Sequence, residues 1–286
     1  MPLNPEKLLA LDIPDVEHNY GPRDCIIYAL GVGLGQDPVN EDELAFVYEK
    51  NLKVLPTFAV TQAYTAYFLR RPELGVTWSH VVHAEQGLIL HRPVEPEGAV
   101  IGRTRIVDVV DKGADKGALV YTERTIIDKA SGALLATVSH NVFCRADGGF
   151  GGPRRDTPPP HALPARAPDT VVDLPTRPEM ALLYRLSGDV NALHVDPATA
   201  RAAGFPRPIL HGLATFGVAG HALLQQECGY DPARITSMAC RFSAPVYPGE
   251  TIRTEIWRGG GVVSFRARAV ERDVVAIDHG RAEVNG

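Results

Sequence analysis

Apolar residues recur with helical spacing at the beginning of each half of the chain and alternate with polar residues afterwards. In the first half, this spacing and prolines that can begin a helix predict helices over residues 4–10, 22–33 and 55–69. The alternating stretches that follow are typical of strands and end at turn-forming residues; they cover 87–90, 100–110, 118–128 and 134–145. The pattern therefore predicts a long helix followed by an antiparallel meander.

The second half of the chain repeats this order. The pattern predicts a strand at 170–175, a helix from Pro178 and a long helix over about 212–228. Four strands are predicted after the long helix, over 235–245, 251–257, 262–270 and 274–284.

Two short sequence matches indicate that the halves arose by duplication. Thr57–Val60 matches Thr215–Val218 at an offset of 215 − 57 = 158 positions, and Pro93–Pro96 matches Pro245–Pro248 at 245 − 93 = 152 positions. Because the matches keep their order and context, they favour a repeat over chance. The predicted segments are an N-terminal repeat over 1–145, a Gly- and Pro-rich linker over 146–168 and a C-terminal repeat over 169–286.

Asp189, Asn191 and His194 lie close together between the predicted helices of the second half. Asp189 and His194 are too far apart in sequence to share adjacent turns of one helix. Gly188 can end the preceding helix, and Asp196 can cap the next one. The three polar residues are therefore expected on a short connection, where a rigid frame can aim them at one point.

A carboxylate and an imidazole at one point form an acid/base pair that can hold and deprotonate a water molecule. The same spacing also fits a helix-capping Asp189 and a hydrogen-bonded core histidine at position 194. A metal site built from His194, His211 and His221 is disfavoured, since no compact His-x-x-x-His spacing is present. We expect no metal.

Residues 184–194, Tyr-Arg-Leu-Ser-Gly-Asp-Val-Asn-Ala-Leu-His, resemble the motif of the (R)-specific enoyl-CoA hydratases, the MaoC-like group of hot-dog-fold proteins. Ala192 departs from that motif, which usually has Pro there and so a stiffer loop. His211-Gly212-Leu213 and Pro245–Gly249 are similar to the family's downstream motifs. Leu55–Phe58 resembles the first half of the two-repeat hydratases, which include the hydratase domain of peroxisomal multifunctional enzymes. The resemblance extends over nearly the whole chain.

The resemblance implies an α+β double hot-dog fold, in which two repeats share one continuous sheet and each wraps an antiparallel sheet around a long central helix. It implies an acyl-CoA substrate and reversible hydration of trans-2-enoyl-CoA to (3R)-3-hydroxyacyl-CoA, with medium- to long-chain or bulky acyl groups. It also implies a role in fatty acid metabolism, including β-oxidation, and a homodimer.

The resemblance also implies roles for the residues of the motifs. Asp189 and His194 would hold the water between them, and Asn191 would orient the water or the substrate. The backbone N–H of Gly212 would donate to the thioester oxygen, and His211 would contact the substrate.

The first repeat carries no titratable group at the equivalent positions, which an offset of 184 − 28 = 156 identifies as Gly33, Gly35 and Pro38. We therefore predict a single site, in the second repeat. Phe58 and Tyr64 of the first repeat are expected to line a wide acyl tunnel, although such residues also commonly pack a core.

The net charge of −5 argues against general nucleic-acid binding, so CoA phosphates need a local group of cations. The candidate cations are Arg145, Arg154, Arg155, Arg201, Arg207 and Arg241. Arg207 and Arg241 rank first because they flank the second-repeat site in sequence. Backbone N–H groups of the glycine-rich loop, including Gly149 and Gly151, are expected to assist.

Other sequence features suggest the compartment and the cofactor requirement. The four cysteines show no paired spacing, which favours reduced thiols and a cytoplasmic protein. No signal peptide, peroxisomal address or membrane-spanning apolar run is recognised. No nicotinamide- or flavin-binding motif is found, and none is expected since hydration is not a redox reaction.

Two other functions are compatible with this sequence. One is a different enzyme on the same fold, a thioesterase or an acyl-carrier-protein dehydratase, of which the second would need a basic docking face. The other is a non-catalytic acyl-CoA-binding subunit, for which an acid/base pair would have no use.

Overall fold

The computed structural model describes residues 3–65, 67–151 and 159–286. The strands are β1 (Val16–Tyr20), β2 (Val81–Leu90), β3 (Gly98–Asp111), β4 (Ala118–Asp128), β5 (Leu134–Cys144), β6 (Thr170–Pro175), β7 (Ile235–Phe242), β8 (Thr251–Gly259), β9 (Val262–Ala269) and β10 (Val274–Val284). The α-helices are α1 (Pro5–Leu9), α2 (Pro22–Gly31), α3 (Glu41–Leu44), α4 (Met180–Tyr184), α5 (Pro197–Ala202) and α6 (Gly212–Cys228). None of the helices in these ranges is long and apolar enough to cross a membrane.

The order of strands shows the internal repeat. All ten strands form one antiparallel sheet, in which β1-β3-β4-β5-β2 is followed by β7-β10-β9-β8-β6, the same arrangement in reverse. The halves join between β2 and β7, where Glu85 lies opposite Arg241 and Ile89 lies opposite Ser237. The predicted double hot-dog fold, with one continuous sheet, is confirmed.

The predicted segment boundaries can be compared with the strands. β5 ends at Cys144 and β6 begins at Thr170, so no strand lies in the described part of the predicted linker. Residues 152–158 of that linker lie outside the described residues. The division at 1–145, 146–168 and 169–286 stays a prediction.

The long helix predicted in the second repeat is confirmed as α6. Every residue from Leu213 to Leu224 is buried, because the helix packs against strands of the second half and against the first repeat. The helix ends at Gly229, whose φ of 55° lies in the left-handed region that favours glycine at this position.

The long helix predicted over 55–69 is wrong: the described residues of this stretch form a short 3₁₀ helix at Tyr67–Arg70 and, before it, another at Pro56–Thr61. Three of its six residues are β-branched, which lowers helix propensity. Ala63 then takes a φ of 49°, which an α-helix cannot continue through. All six residues are buried, so tertiary packing selects the conformation of this segment.

The first repeat approaches α6 through two glycines of the helix. A Cβ added at Gly217 would lie 2.5 Å from Val32 Cγ1 and 2.9 Å from the Tyr28 hydroxyl. A Cβ at Gly220 would lie 2.8 Å from Thr57 Cγ2. The two glycines therefore set the separation between α6 and the first repeat.

Gly217→Ala is expected to destabilise the protein by about 1–3 kcal/mol, because the added methyl group overpacks a closed contact. This sign is opposite to the gain of up to about 1 kcal/mol that Ala brings at an uncrowded helical glycine. Urea unfolding measures the change. Gly259→Ala, at an open site at the end of β8, is the matched control and is expected to change little. Equal stability of Gly217→Ala and the native protein would contradict the close packing.

Candidate active site

The segment between α4 and α5 is a short, well-capped connection. A 3₁₀ turn follows α4 and ends at Gly188, whose φ is 116°. Residues 192–194 form a second 3₁₀ turn. Asp196 caps α5 by accepting from the N–H groups of Ala198 and Thr199. The connection predicted from the sequence is therefore present, with Asp189 and His194 at its two ends.

Asp189 and Asn191 are held by local hydrogen bonds. Asp189 Oδ1 accepts from the N–H of Asn191 at 3.1 Å, and Asn191 Oδ1 accepts from the N–H of Leu193 at 3.2 Å. Both side chains are partly exposed and line a large cavity. Their oxygens are thus fixed in direction by the turn itself.

His194 is buried, and its tautomer is set by the backbone. Its Nδ1 lies 2.9 Å from the carbonyl oxygen of Ile209, which can only accept, so Nδ1 carries the proton. Burial lowers the pKa of His194, and the nearby Asp189 acts in the opposite direction. The neutral ring therefore keeps a lone pair on Nε2 and can accept a proton.

His211 lies behind this pair. Its ring stacks on His194 with 3.7 Å between centroids and 26° between planes, and its Nε2–H donates to the carbonyl oxygen of Asp189 at 3.2 Å. Burial, followed by the proximity of His194, lowers the pKa of His211 to about 2, so it stays neutral. His211 therefore orients Asp189 and His194 from behind.

Asp189, His194 and His211 bring their potential ligand atoms within 4.8 Å of one another. Imidazole lone pairs lie in the plane of the ring. Because the two rings are stacked nearly parallel, their lone pairs run side by side and do not converge on one ion. In addition, the Nε2–H of His211 donates a hydrogen bond to the Asp189 carbonyl oxygen, so this nitrogen has no free lone pair for a metal ion. The arrangement suits proton transfer better than tetrahedral coordination.

Gly212 is the first residue of α6 and lines the same cavity. The N–H groups of a first helical turn have no acceptor within their own helix, and the helix dipole favours negative charge there. A Cβ at this position would lie 3.5 Å from the ring of Phe242, an ordinary contact. The N–H of Gly212 is therefore suited to bind an oxygen that gains charge.

The cavity has a volume of about 1430 Å³ and spans both repeats. Its second-repeat wall includes Asp189, Asn191, His194 and Gly212. Its first-repeat wall includes side chains on the inner face of β2–β5. It also includes residues 64–65, 68–70 and 78–82, close to where the helix predicted over 55–69 is missing.

Comparison with known proteins agrees with this arrangement. Residues 18–146 match the family model described as the MFE-2 hydratase 2 N-terminal domain, and residues 161–279 match the MaoC like domain. The chain is 39% identical over 290 residues to enoyl-CoA hydratase 2, peroxisomal, of Arabidopsis thaliana, covering 96% of this chain and 93% of the relative. The chain belongs to the MaoC-like hydratase 2 family.

Further similarities cover the whole length of this hydratase 2 family member. It is 40% identical over 294 residues to 3-hydroxyacyl-thioester dehydratase Y of Mycobacterium tuberculosis, covering 99% of each chain. The crystal structure of a MaoC-like dehydratase from Phytophthora capsici superposes with a TM-score of 0.87 at 33% identity, over 99% of this chain and 98% of that one. The family resemblance found in the sequence is thus confirmed.

Two predicted substrate contacts of this family member lie away from the cavity wall. Phe58 is 2% exposed and packs edge-on against Tyr20 and Tyr28, both at 5.4 Å, so it is a core residue. His211 is 1% exposed and supports the acid/base pair from behind. Tyr64, in contrast, lines the cavity as predicted.

The arginines ranked first for the CoA phosphates are also elsewhere. Arg241 forms an ion pair with Glu85, 2.6 Å between Nη2 and Oε1, on the face of the sheet away from α6. Arg207 stacks on Tyr247, with 5.0 Å from its guanidinium carbon to the ring centre. Neither arginine lines the cavity. Both are close to the site in sequence, but their side chains do not reach the cavity wall.

The glycine-rich loop does form a ring of N–H donors, but an internal carboxylate occupies it. The N–H groups of Gly149 and Gly151 donate to the two oxygens of Asp111, at 2.8 and 2.6 Å. These hydrogen bonds lower the pKa of Asp111, and the one from the N–H of Gly149 has the largest effect. The N–H groups of Gly149 and Gly151 are thus engaged within the chain, and their binding of substrate stays a prediction.

The remaining candidate cations divide into three groups. Arg145 lines the cavity, Arg201 on α5 does not, and Arg154 and Arg155 lie outside the described residues. The structure adds Arg70, which lines the cavity and stacks on Trp78 with 4.6 Å to the ring centre. In the sequence, Arg70 is indistinguishable from a basic residue that ends a helix.

Proposed function

We propose that this hydratase 2 family member adds water to trans-2-enoyl-CoA and produces (3R)-3-hydroxyacyl-CoA. The observation that carries the proposal is the meeting of Asp189, His194 and the N terminus of α6 at the wall of one cavity. The relatives named enoyl-CoA hydratase 2 and 3-hydroxyacyl-thioester dehydratase Y support it, since the two names describe opposite directions of one equilibrium.

The chemistry follows from the positions of the groups. A water between the Asp189 carboxylate and His194 Nε2 attacks carbon 3 while it gives up a proton to the pair. The C2=C3 π electrons move to carbon 2, and negative charge reaches the thioester oxygen, where the N–H of Gly212 donates. The pair then returns a proton to carbon 2. One C–O and one C–H bond form, and the water O–H bond breaks.

Asn191 contributes by orientation. Its Oδ1 is engaged with the N–H of Leu193, so its side-chain NH₂ is the part that can donate to water or substrate.

We also propose that Arg70 and Arg145 attract the CoA phosphates, because both are exposed and line the cavity, which places them at its opening.

The proposed reaction needs neither a metal nor a redox cofactor, because adding water leaves the substrate at the same overall oxidation level.

We propose a reducing, cytoplasmic location, which the four buried free cysteines support. We further propose a homodimer and a role in β-oxidation, both supported by membership of the family. Sedimentation equilibrium tests the homodimer.

The direct test is the absorbance of the conjugated enoyl thioester with short- and long-chain substrates. Loss of the band together with a (3R) product supports the hydratase. Release of free thiol in place of the hydroxyacyl product would identify a thioesterase, and CoA-thioester binding without turnover would identify a binding subunit.

The acidic limb of the pH profile is expected below pH 6.5. The neutral form of His194 accepts the proton, and burial lowers the pKa of this ring from 6.5. Activity therefore stays high as the pH falls to the ordinary histidine value and is lost only below it. The dependence of log kcat/KM on pH measures this. A limb above pH 6.5 would contradict the assignment of a buried neutral histidine.

A further inference from the structure

The inner face of the first-repeat sheet carries buried polar groups where an acyl cavity would be apolar. The inward positions along β4 are Ala118, Val120, Thr122, Arg124 and Ile126, and all of them are buried. Two central members of this row are thus polar, one of them an arginine that is 4% exposed. A fully buried arginine is uncommon unless it is paired.

Neighbouring strands add polar groups around these two. Thr104 on β3 lies opposite Arg124, and His140 on β5 lies opposite Thr122. The ring of His83 on β2 packs on His140, with 3.8 Å between centroids. We call these five residues the distal polar cluster, and all five line the cavity described above.

Several polar atoms of the distal polar cluster are buried without a hydrogen-bond partner among the described residues. Arg124 Nη2 donates to the carbonyl oxygen of Val60 at 2.7 Å. In the described part of the chain, Arg124 Nε, Thr104 Oγ1 and His140 Nδ1 are buried without a hydrogen-bond partner. Each such atom costs free energy unless something binds it, and the three lie on three adjacent strands.

The cluster carries one net positive charge. Burial lowers the pKa of Arg124 to about 10, so it stays cationic at neutral pH. Burial lowers the pKa of His83 to about 4 and that of His140 well below its usual value, so both rings are neutral. The structure shows no carboxylate paired with Arg124 among the residues it describes, and its guanidinium instead lies 5.4 Å from the ring centre of Tyr64.

Phe242 connects the cluster to the reacting end of the cavity. Its ring would lie 3.5 Å from a Cβ at Gly212 and lies 4.6 Å from the ring of His83. The cluster is therefore beyond Phe242 as seen from the Gly212 N–H. With CoA at the opening near Arg70 and Arg145, the acyl chain is the part of the substrate that reaches inward.

We propose that the distal polar cluster recognises a carboxylate on the far part of the acyl chain, so that the preferred substrates are enoyl-CoA thioesters of dicarboxylic acids. This proposal rests on the proposed function and specifies its substrate class. The single charge of Arg124 matches one carboxylate, and Arg124 Nε and the Thr104 hydroxyl supply donors for its oxygens.

The test compares pairs of trans-2-enoyl-CoA substrates of equal chain length, with and without a terminal carboxylate, over a series of lengths. Burying an unpaired carboxylate is costly, so without a partner the carboxylated member would be the poorer substrate at every length. If the cluster binds the carboxylate, we expect kcat/KM of the carboxylated substrate to exceed that of the uncharged substrate of equal length over one range of chain lengths. A third series with a terminal ketone separates recognition of charge from recognition of any oxygen acceptor.

Arg124→Met is expected to lower the ratio of carboxylated to plain kcat/KM by about 10- to 100-fold, as loss of a charge-assisted hydrogen bond requires. Arg105→Met removes an exposed arginine from the neighbouring strand, paired with Glu123, and should keep the native ratio. Thr104→Val provides a milder probe, with a smaller fall in the ratio, if Arg124→Met does not fold.

The outcomes separate the two proposals. If no enoyl-CoA is hydrated, the proposed function itself fails. If plain substrates are hydrated but the carboxylated ones are poorer at every length, the distal carboxylate is overturned. Ketones as good as the carboxylates, or an Arg124→Met protein with the native ratio, would also overturn it.

Discussion

Asp189→Asn is expected to lower kcat/KM for enoyl-CoA hydration by about 10² to 10⁴, the cost of removing one partner of an acid/base pair. The substitution is close to isosteric, and an amide oxygen can still accept from the N–H of Asn191 as the carboxylate does. The turn is therefore expected to persist, and the loss is chemical. Disappearance of the enoyl thioester band measures the rate, and circular dichroism checks the fold.

Asp196→Asn is the matched control, because this residue lies in the same connection and caps α5 with its side chain. Asparagine is an equally good cap, so this variant should keep its activity. Combining Asp189→Asn with His194→Gln should cost little more than the worse single change, since the pair moves one proton as a unit. Full activity of Asp189→Asn would exclude this carboxylate from the reaction.

Gly212→Pro is expected to lower kcat by about 10² to 10³, because it removes the N–H that stabilises charge on the thioester oxygen. Proline suits the first position of a helix, where the N–H has no partner within the helix. The preceding residue, His211, has φ −59° and ψ 138°, a conformation that a following proline accepts. The variant is thus designed to delete a donor while it leaves the helix in place.

Gly212→Ala is the control for the added bulk. Its Cβ would lie 3.5 Å from Phe242, an ordinary contact, and its N–H remains. The alanine variant should therefore keep most of its kcat while the proline variant loses it. A similar fall in both would attribute the effect to crowding against Phe242, and no fall in the proline variant would place the donor elsewhere.

The sequence predicted the frame of the site because its determinants are local. The turn at Gly188 and the Asp196 cap act within a few residues, and they suffice to place the Asp/Asn/His segment between two helices. The stretch from Leu55 to Leu69 has helical spacing too, but its conformation depends on the complete burial of Pro56–Thr61 and on a φ of 49° at Ala63. Neither of these conditions is visible as a periodicity.

The two arginines ranked first lie away from the cavity wall for a related reason. Side chains alternate across a strand, so Phe242 lines the cavity while Arg241, one residue earlier, points to the other face and pairs with Glu85. The glycine loop does bind an anion, as its composition indicates, but the anion is Asp111 of the same chain. Which partner is nearest in space is set by pairing between strands far apart in sequence.

The junction between β2 and β7 separates two sets of cavity residues for which different roles are proposed. The groups assigned to proton transfer belong to the second repeat, and the buried polar face of the cavity belongs to the first. Substitutions in the two repeats that share no neighbour are expected to have additive effects, whereas those at residues that contact Phe242 from both repeats are expected to be coupled. We therefore expect that substitutions in the first repeat away from Phe242 change which acyl groups are accepted and leave the proton-transfer groups of the second repeat in place.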